Sequence, residues 1–99
     1  MQTNGNTILI TGGGSGIGRE LAHKWHDLGN TVIVAGRTQA SLDETAAGHA
    51  NIHTMIVDVG DADDLARFAK KVVEVHPAIN VLVNNAGITR DNLFMRMSD

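Results

Sequence analysis

Apolar residues gather in four short runs: Thr7–Ile10, Thr31–Ala35, Ile52–Val57 and Ile79–Val83. The runs are rich in Val and Ile and scarcely alternate with polar residues, as expected of parallel strands covered on both faces. Between them the apolar positions recur at helical spacing. Ile17, Leu21, Trp25 and Leu28 mark a helix over Ile17–Leu28 that stops at Gly29, a natural C′ residue. A shorter, weaker pattern covers Gln39–Gly48. Leu65, Phe68, Ala69, Val72 and Val75 mark a third helix over Asp61–His76, with Pro77 beyond its end. Asp61 suits its N-cap, and Asp63 and Asp64 suit the positive end of its dipole. Residues 1–6 are polar and read as loose. Strands alternating with helices through right-handed crossovers predict an α/β protein, doubly wound around a parallel sheet in the order 3-2-1-4.

The chemistry starts at the first strand–helix junction, Thr11-Gly12-Gly13-Gly14-Ser15-Gly16-Ile17-Gly18. A strand, a glycine-rich turn and a helix N-terminus together offer free N–H groups and a positive dipole end to a diphosphate. Glycines allow the backbone close to the anion where a Cβ would collide with it. Gly12, Gly14, Ser15, Gly16, Ile17 and Gly18 are therefore candidate cofactor contacts. The competing reading is a glycine turn with no ligand, which the flanking strand and helix argue against. No Lys-Ser/Thr pair follows the glycines, so this is not the nucleotide loop of a P-loop NTPase.

The glycine spacing is G-x-x-x-G-x-G, and with Thr11 and Ile17 it resembles the T-G-x-x-x-G-I-G motif of the short-chain dehydrogenase/reductase family. Asp58-Val59 follows the third run, where that family keeps an Asp against the adenine ring. Asn84-Asn85-Ala86-Gly87 follows the fourth run and matches its N-N-A-G motif. Three motifs in order, each at a strand end, make the resemblance specific, and it runs from Thr7 to the last residue. It implies a Rossmann-type fold with Asp58, Val59, Asn85, Ala86 and Gly87 beside the adenosine, and Asn84 bracing the sheet. The tail Ile88–Met97 resembles the 3-oxoacyl-(acyl-carrier-protein) reductase branch, which implies a 3-oxoacyl thioester as substrate.

Cofactor choice is expected to lie at the end of the second strand, where an NAD site needs an acid for the ribose hydroxyls. This chain has Ala35-Gly36-Arg37-Thr38 there. Gly36 removes the acid and Arg37 offers a planar cation to a 2′-phosphate, so NADP(H) is favoured and NAD(H) is the alternative. Ser15 weighs against this, because NADP-preferring relatives often carry a second basic residue at that point of the glycine turn. Arg37 as an ordinary solvated arginine is the competing reading.

The resemblance also implies a reaction, reversible carbonyl reduction by hydride transfer, that uses a Ser, a Tyr and a Lys lying beyond N-N-A-G. The chain has no tyrosine, and Ser15, Ser41, Ser98, Lys70 and Lys71 stand in the wrong places. The expectation is the N-terminal, dinucleotide-binding part of an oxidoreductase, one truncated domain over residues 1–99, inactive alone. The alternative is a free-standing, non-catalytic dinucleotide-binding module. Four strands in the order 3-2-1-4 would leave the edge of the fourth, with Val81, Leu82 and Val83, open to a second copy, so a homo-oligomer through that edge or the tail is expected.

Composition adds exclusions. An apolar fraction of 42% with 19% charged residues is ordinary for a globular chain. No run reaches membrane-spanning length and no signal-peptide pattern opens the chain, so a cytoplasmic protein is expected. A net charge of −3 with no basic cluster argues against nucleic acid as a partner. Absence of cysteine rules out disulfides and thiolate metal sites. The histidine pairs His23/His26 and His49/His53 each make an incomplete metal site, with no carboxylate or thiolate at ligand spacing, and read as solvated positions, and Trp25 reads as packing.

Overall fold

The computed structural model describes residues 3–14 and 16–85. Its elements are β1 (Thr7–Thr11), α1 (Gly16–Asp27), β2 (Thr31–Gly36), α2 (Gln39–Ala46), β3 (Ile52–Ile56), α3 (Ala62–Val75) and β4 (Val81–Asn84). The strands form one parallel sheet in the order β3-β2-β1-β4, as the alternation of periods predicts. Register follows from hydrophobic matching: Leu9 sits between Ile33 and Leu82, and Ile10 between Val34 and Val83.

Because side chains alternate across a strand, each central strand feeds two cores. Leu9, Ile33 and Ala35 face one way and pack with Val57 and with Leu65, Phe68, Ala69 and Val72 of α3. Ile8, Ile10, Val32 and Val34 face the other way and pack with Ala22 of α1 and Leu42 of α2, with Trp25 against the same cluster. The sheet is thus wound on both sides, a Rossmann-type arrangement. The apolar runs of β1 and β2 lack alternation because both their faces are buried.

Helix ends follow local chemistry. Asp61 caps α3, its Oδ1 accepting the N–H of Asp63 at 3.0 Å and of Asp64 at 3.2 Å. At the end of α1 the N–H of Asn30 donates to Trp25 and that of Gly29 to His26, a Schellman motif with Gly29 at φ 95°.

Two expectations are overturned. Cover on both faces fails at the sheet's edges, where His53 and Ile56 of β3 are exposed and β4 is only half-buried. The second concerns the chain start. Asn6 belongs to the polar start read as loose, yet it is buried. Its N–H and its Nδ2 both donate to Oδ1 of Asn30 at 3.0 Å, and its Oδ1 accepts from Nδ2 of Asn80 at 2.9 Å. Three asparagines distant in sequence thereby tie together the starts of β1, β2 and β4. Buried amides demand partners, and tertiary proximity supplies them.

Candidate dinucleotide site

In a parallel sheet every strand delivers its following loop to the same edge. The edge beyond Thr11, Gly36, Ile56 and Asn84 therefore collects the glycine turn, Arg37, Asp58 and Asn85. The chain leaves β1 towards β2 but reaches β4 on β1's other side, so the gap between β1 and β4 is the topological switch point where such folds bind ligands.

The glycine turn is held from three sides. Behind it, the carbonyl of Ala35 accepts the N–H of Gly12 at 2.7 Å and of Gly13 at 3.4 Å. From β4, Asn84 Oδ1 accepts the hydroxyl of the fully buried Thr11 at 2.9 Å, and Nδ2 of Asn85 donates to the carbonyl of Gly12 at 3.3 Å. From the helices, Arg19 reaches across the turn. Its Nη2 donates to the carbonyl of Gly14 at 2.6 Å, to Ser41 at 3.3 Å and to Glu44 at 3.2 Å, while Nε donates to Thr45 at 3.0 Å. The buried Thr45 hydroxyl in turn donates to the carbonyl of Gly13 at 2.8 Å.

These contacts separate the glycines by task. Gly16 has φ 57°, and a Cβ built there meets nothing within 4 Å among the described residues, so its need is conformational. Gly18 differs: a Cβ there would run into the carbonyl of Gly12, so the helix can pack against the turn only without one. Gly13 is similar, its Cβ position lying 2.6 Å from Cβ of Val34. Gly14 packs against Ser41.

An anion at this turn would find the opening N–H groups of α1, which lack intrahelical acceptors. The first turn of α1 carries no carboxylate to compete. Ile17 stands exposed and apolar on the same turn. Arg37 follows β2 as an exposed cation. The groups present fit a dinucleotide phosphate and ribose.

Asp58 and Val59 follow β3 with their side chains partly committed. Oδ1 of Asp58 accepts the N–H of Gly60 at 3.0 Å, a turn closure, and Val59 packs against the α3 core. The backbone N–H of Asp58 donates to Oδ2 of Asp64 at 2.7 Å. A hydrogen bond from Arg67, and then that from Asp58, hold the Asp64 carboxyl below its usual range. Ser15, Ala86, Gly87 and the Ile88–Met97 tail lie outside the described residues. Sequence reasoning passed over Gly13, Arg19 and Thr45. Gly13 was legible as the middle member of the Gly12-Gly13-Gly14 run, but only the approach of α2 gives Arg19 and Thr45 their role.

Fold and edge together define a doubly wound α/β protein of the dinucleotide-binding type. The chain belongs to the short chain dehydrogenase family, whose profile matches residues 6–99. It is 45% identical over 91 residues to the uncharacterized oxidoreductase DltE of Bacillus subtilis, which covers 92% of this chain and 36% of that protein. It is 41% identical over 98 residues to the 3-oxoacyl-(acyl-carrier-protein) reductase FabG of Staphylococcus aureus, covering 94% and 40%. Among solved structures, the Pseudomonas aeruginosa RhlG/NADP active-site complex superposes with a TM-score of 0.76 at 28% identity, covering 85% of this chain and 35% of that one. A short chain dehydrogenase from Bacillus anthracis gives 0.74 at 30%, covering 87% and 36%. The chain thus spans about two fifths of the length of the relatives it matches. Among the described residues, no helix is long and apolar enough to cross a membrane.

Proposed function

We propose that these residues form the cofactor-binding part of an NADP(H)-dependent oxidoreductase that interconverts a carbonyl and an alcohol. The observation that carries the reading is the pairing of an acid-free helix start behind the glycine turn with Arg37 at the end of β2. In this reading the N–H groups from Gly14, Ser15, Gly16, Ile17 and Gly18 meet the diphosphate. Arg37 meets the 2′-phosphate bidentately, where the missing acid at Gly36 would have repelled it. Asp58, through its second carboxylate oxygen, and Val59, Asn85, Ala86 and Gly87 line the adenosine. Gly12 shapes the turn, while Asn85 and Asn84 hold it against β4.

The bound cofactor supplies or accepts the hydride. The matching proton requires a side chain with a suitable acid, and the 99 residues hold no tyrosine to provide it. We assign proton transfer to residues outside this sequence, in a longer protein. A 3-oxoacyl thioester is the proposed substrate class, supported by the Ile88–Met97 tail and by the likeness to the Staphylococcus reductase. The edge of β4 is proposed to pair with a second copy, since among the described residues β4 has a strand neighbour on one side only.

Fluorescence titration tests the binding half. NADPH is expected to bind more tightly than NADH, and the reverse order would overturn the cofactor assignment. Ketone reduction by the 99-residue chain itself would overturn the assignment of proton transfer elsewhere.

A further inference from the structure

The edge of the sheet opposite the cofactor carries a second cluster of chemistry. α1 starts at the glycine turn and runs to the other end of the strands, so its last turn lies at the edge where strands begin. The connection from α2 to β3, residues 47–51, returns to that same edge. There His23 and His26 of α1 meet His49. The rings of His23 and His49 are stacked, centroids 4.2 Å apart and 6° from parallel. His26 stands edge-on to His49 at 4.9 Å and 82°. Asp27 adds a carboxylate, its Oδ1 3.2 Å from Nδ1 of His26.

The hydrogen bonds determine which nitrogens carry protons. A carbonyl oxygen can only accept, so Nδ1 of His49, 2.8 Å from the Ala47 carbonyl, holds its proton and leaves the lone pair on Nε2. Likewise Nε2 of His23 donates to the Thr45 carbonyl at 2.8 Å. An imidazole whose other N–H is held by a backbone carbonyl is the arrangement that orients metal-ligating histidines. The stacked His23 ring fixes the plane of His49 further. One ligand atom each from His26, Asp27 and His49 lie within 4.8 Å of one another, and no other group of three such residues does so among the described residues. The negative end of the α1 dipole, from which His26 and Asp27 project, adds a field that favours a cation.

We propose that His26, Asp27 and His49 bind a divalent transition-metal ion of the zinc class, with water completing the shell, and that the ion ties the end of α1 to the α2–β3 connection. Two imidazoles and a carboxylate suit Zn²⁺ and its neighbours in the first row and do not suit Mg²⁺ or Ca²⁺. Tetrahedral ligation at about 2.0–2.2 Å needs ligand atoms roughly 3.4 Å apart. The Asp27 side chain is 72% exposed and free to rotate inwards, and side-chain rotation of all three residues is needed to bring ligand atoms within 4.8 Å to that separation. His23 acts through His49, as a positioning residue. The site lies at the far edge from the glycine turn and does not depend on the cofactor assignment.

The test is calorimetric titration of the metal-stripped protein with zinc chloride in a non-chelating buffer. The expected result is one ion per chain, with His26→Gln and His49→Gln each weakening it about tenfold or more. His53→Gln and His76→Gln, at the other histidine contact, should leave it unchanged. Ring-proton NMR of the unmutated protein guards against variants that misfold. One equivalent of zinc should move the His26 and His49 signals together. No saturable binding, affinity unchanged in His49→Gln, or shifts confined to His53 and His76 would each overturn the proposal.

Discussion

Nη2 of Arg19 lies 2.6 Å from the carbonyl oxygen of Gly14, the shortest of the hydrogen bonds by which one side chain joins the glycine turn to α2. That nitrogen has two N–H groups for three acceptors, so the short contact to Gly14 takes the larger share. The ion pair to Glu44 is exposed and contributes little. Arg19→Ala is expected to lower stability by about 1–3 kcal/mol by stranding part-buried carbonyls, and to weaken NADPH and NADH alike by loosening the turn. Glu44→Gln should cost less than about 1 kcal/mol. Urea midpoints and cofactor titrations of both variants check this; equal effects of the two would mean that the ion pair, not the turn contact, matters.

Arg37 and Gly36 should govern cofactor choice separately. Arg37→Asp removes the proposed bidentate contact and sets a carboxylate against the 2′-phosphate, expected to cost NADPH binding at least about 1.5–3 kcal/mol, with NADH little changed. Gly36→Asp is sterically allowed, since its Cβ would meet Leu42 at 3.5 Å, an ordinary contact. It should improve NADH binding by supplying an acceptor for the ribose hydroxyls. If Arg37→Asp keeps the original ratio of affinities, Arg37 is a surface bystander.

Gly16→Ala and Gly18→Ala should fail for different reasons. At Gly18 the added methyl meets the carbonyl of Gly12, so the helix must shift, at about 1–3 kcal/mol of stability. At Gly16 no neighbour among the described residues is struck, and the strain of φ 57° is accompanied by a methyl placed where the cofactor phosphate is proposed to approach. Thermal melts with and without NADPH separate the two. Gly18→Ala should fall in both melts, and Gly16→Ala should lose most of the NADPH-induced rise.

His76 should make stability depend on pH. Burial, then the neighbouring His53, lower its pKa below the ordinary 6.5, so the folded chain favours the neutral ring. Between 6.5 and the lowered value the unfolded chain binds more protons, so stability falls as pH drops through that window and levels off below it. Above 6.5 both states are neutral and the effect vanishes. Denaturant midpoints measured one unit above and one unit below that value should differ, and His76→Gln should narrow the difference. An unchanged difference would remove His76 as its source.

Pairing through the β4 edge, as proposed, should set association. Sedimentation equilibrium at micromolar concentration is expected to show a dimer, and a charge placed on that edge by Leu82→Lys should shift it to monomer. A cooperatively melting monomer of the unmutated chain would rule out pairing through β4.

Much of this protein is local. The strands and helices follow from hydrophobic period, Asp61 and Gly29 mark helix ends by their own hydrogen bonding and φ, and the glycine spacing marks the turn. The parallel order follows because consecutive strands joined by right-handed crossovers have few arrangements. Contacts between residues far apart in sequence are another matter. Nothing near Asn6 announces Asn30 and Asn80, and nothing near Arg19 announces Thr45. His49 pairs in sequence with His53, yet it stacks on His23, while His53 meets His76. Residues four apart in a chain that turns from loop into strand point to different neighbours. Short-range pattern reports which face a residue occupies, whereas its partner is set by which elements the sheet brings alongside, and that was decided only by the packing of α1 and α2 on one face and α3 on the other.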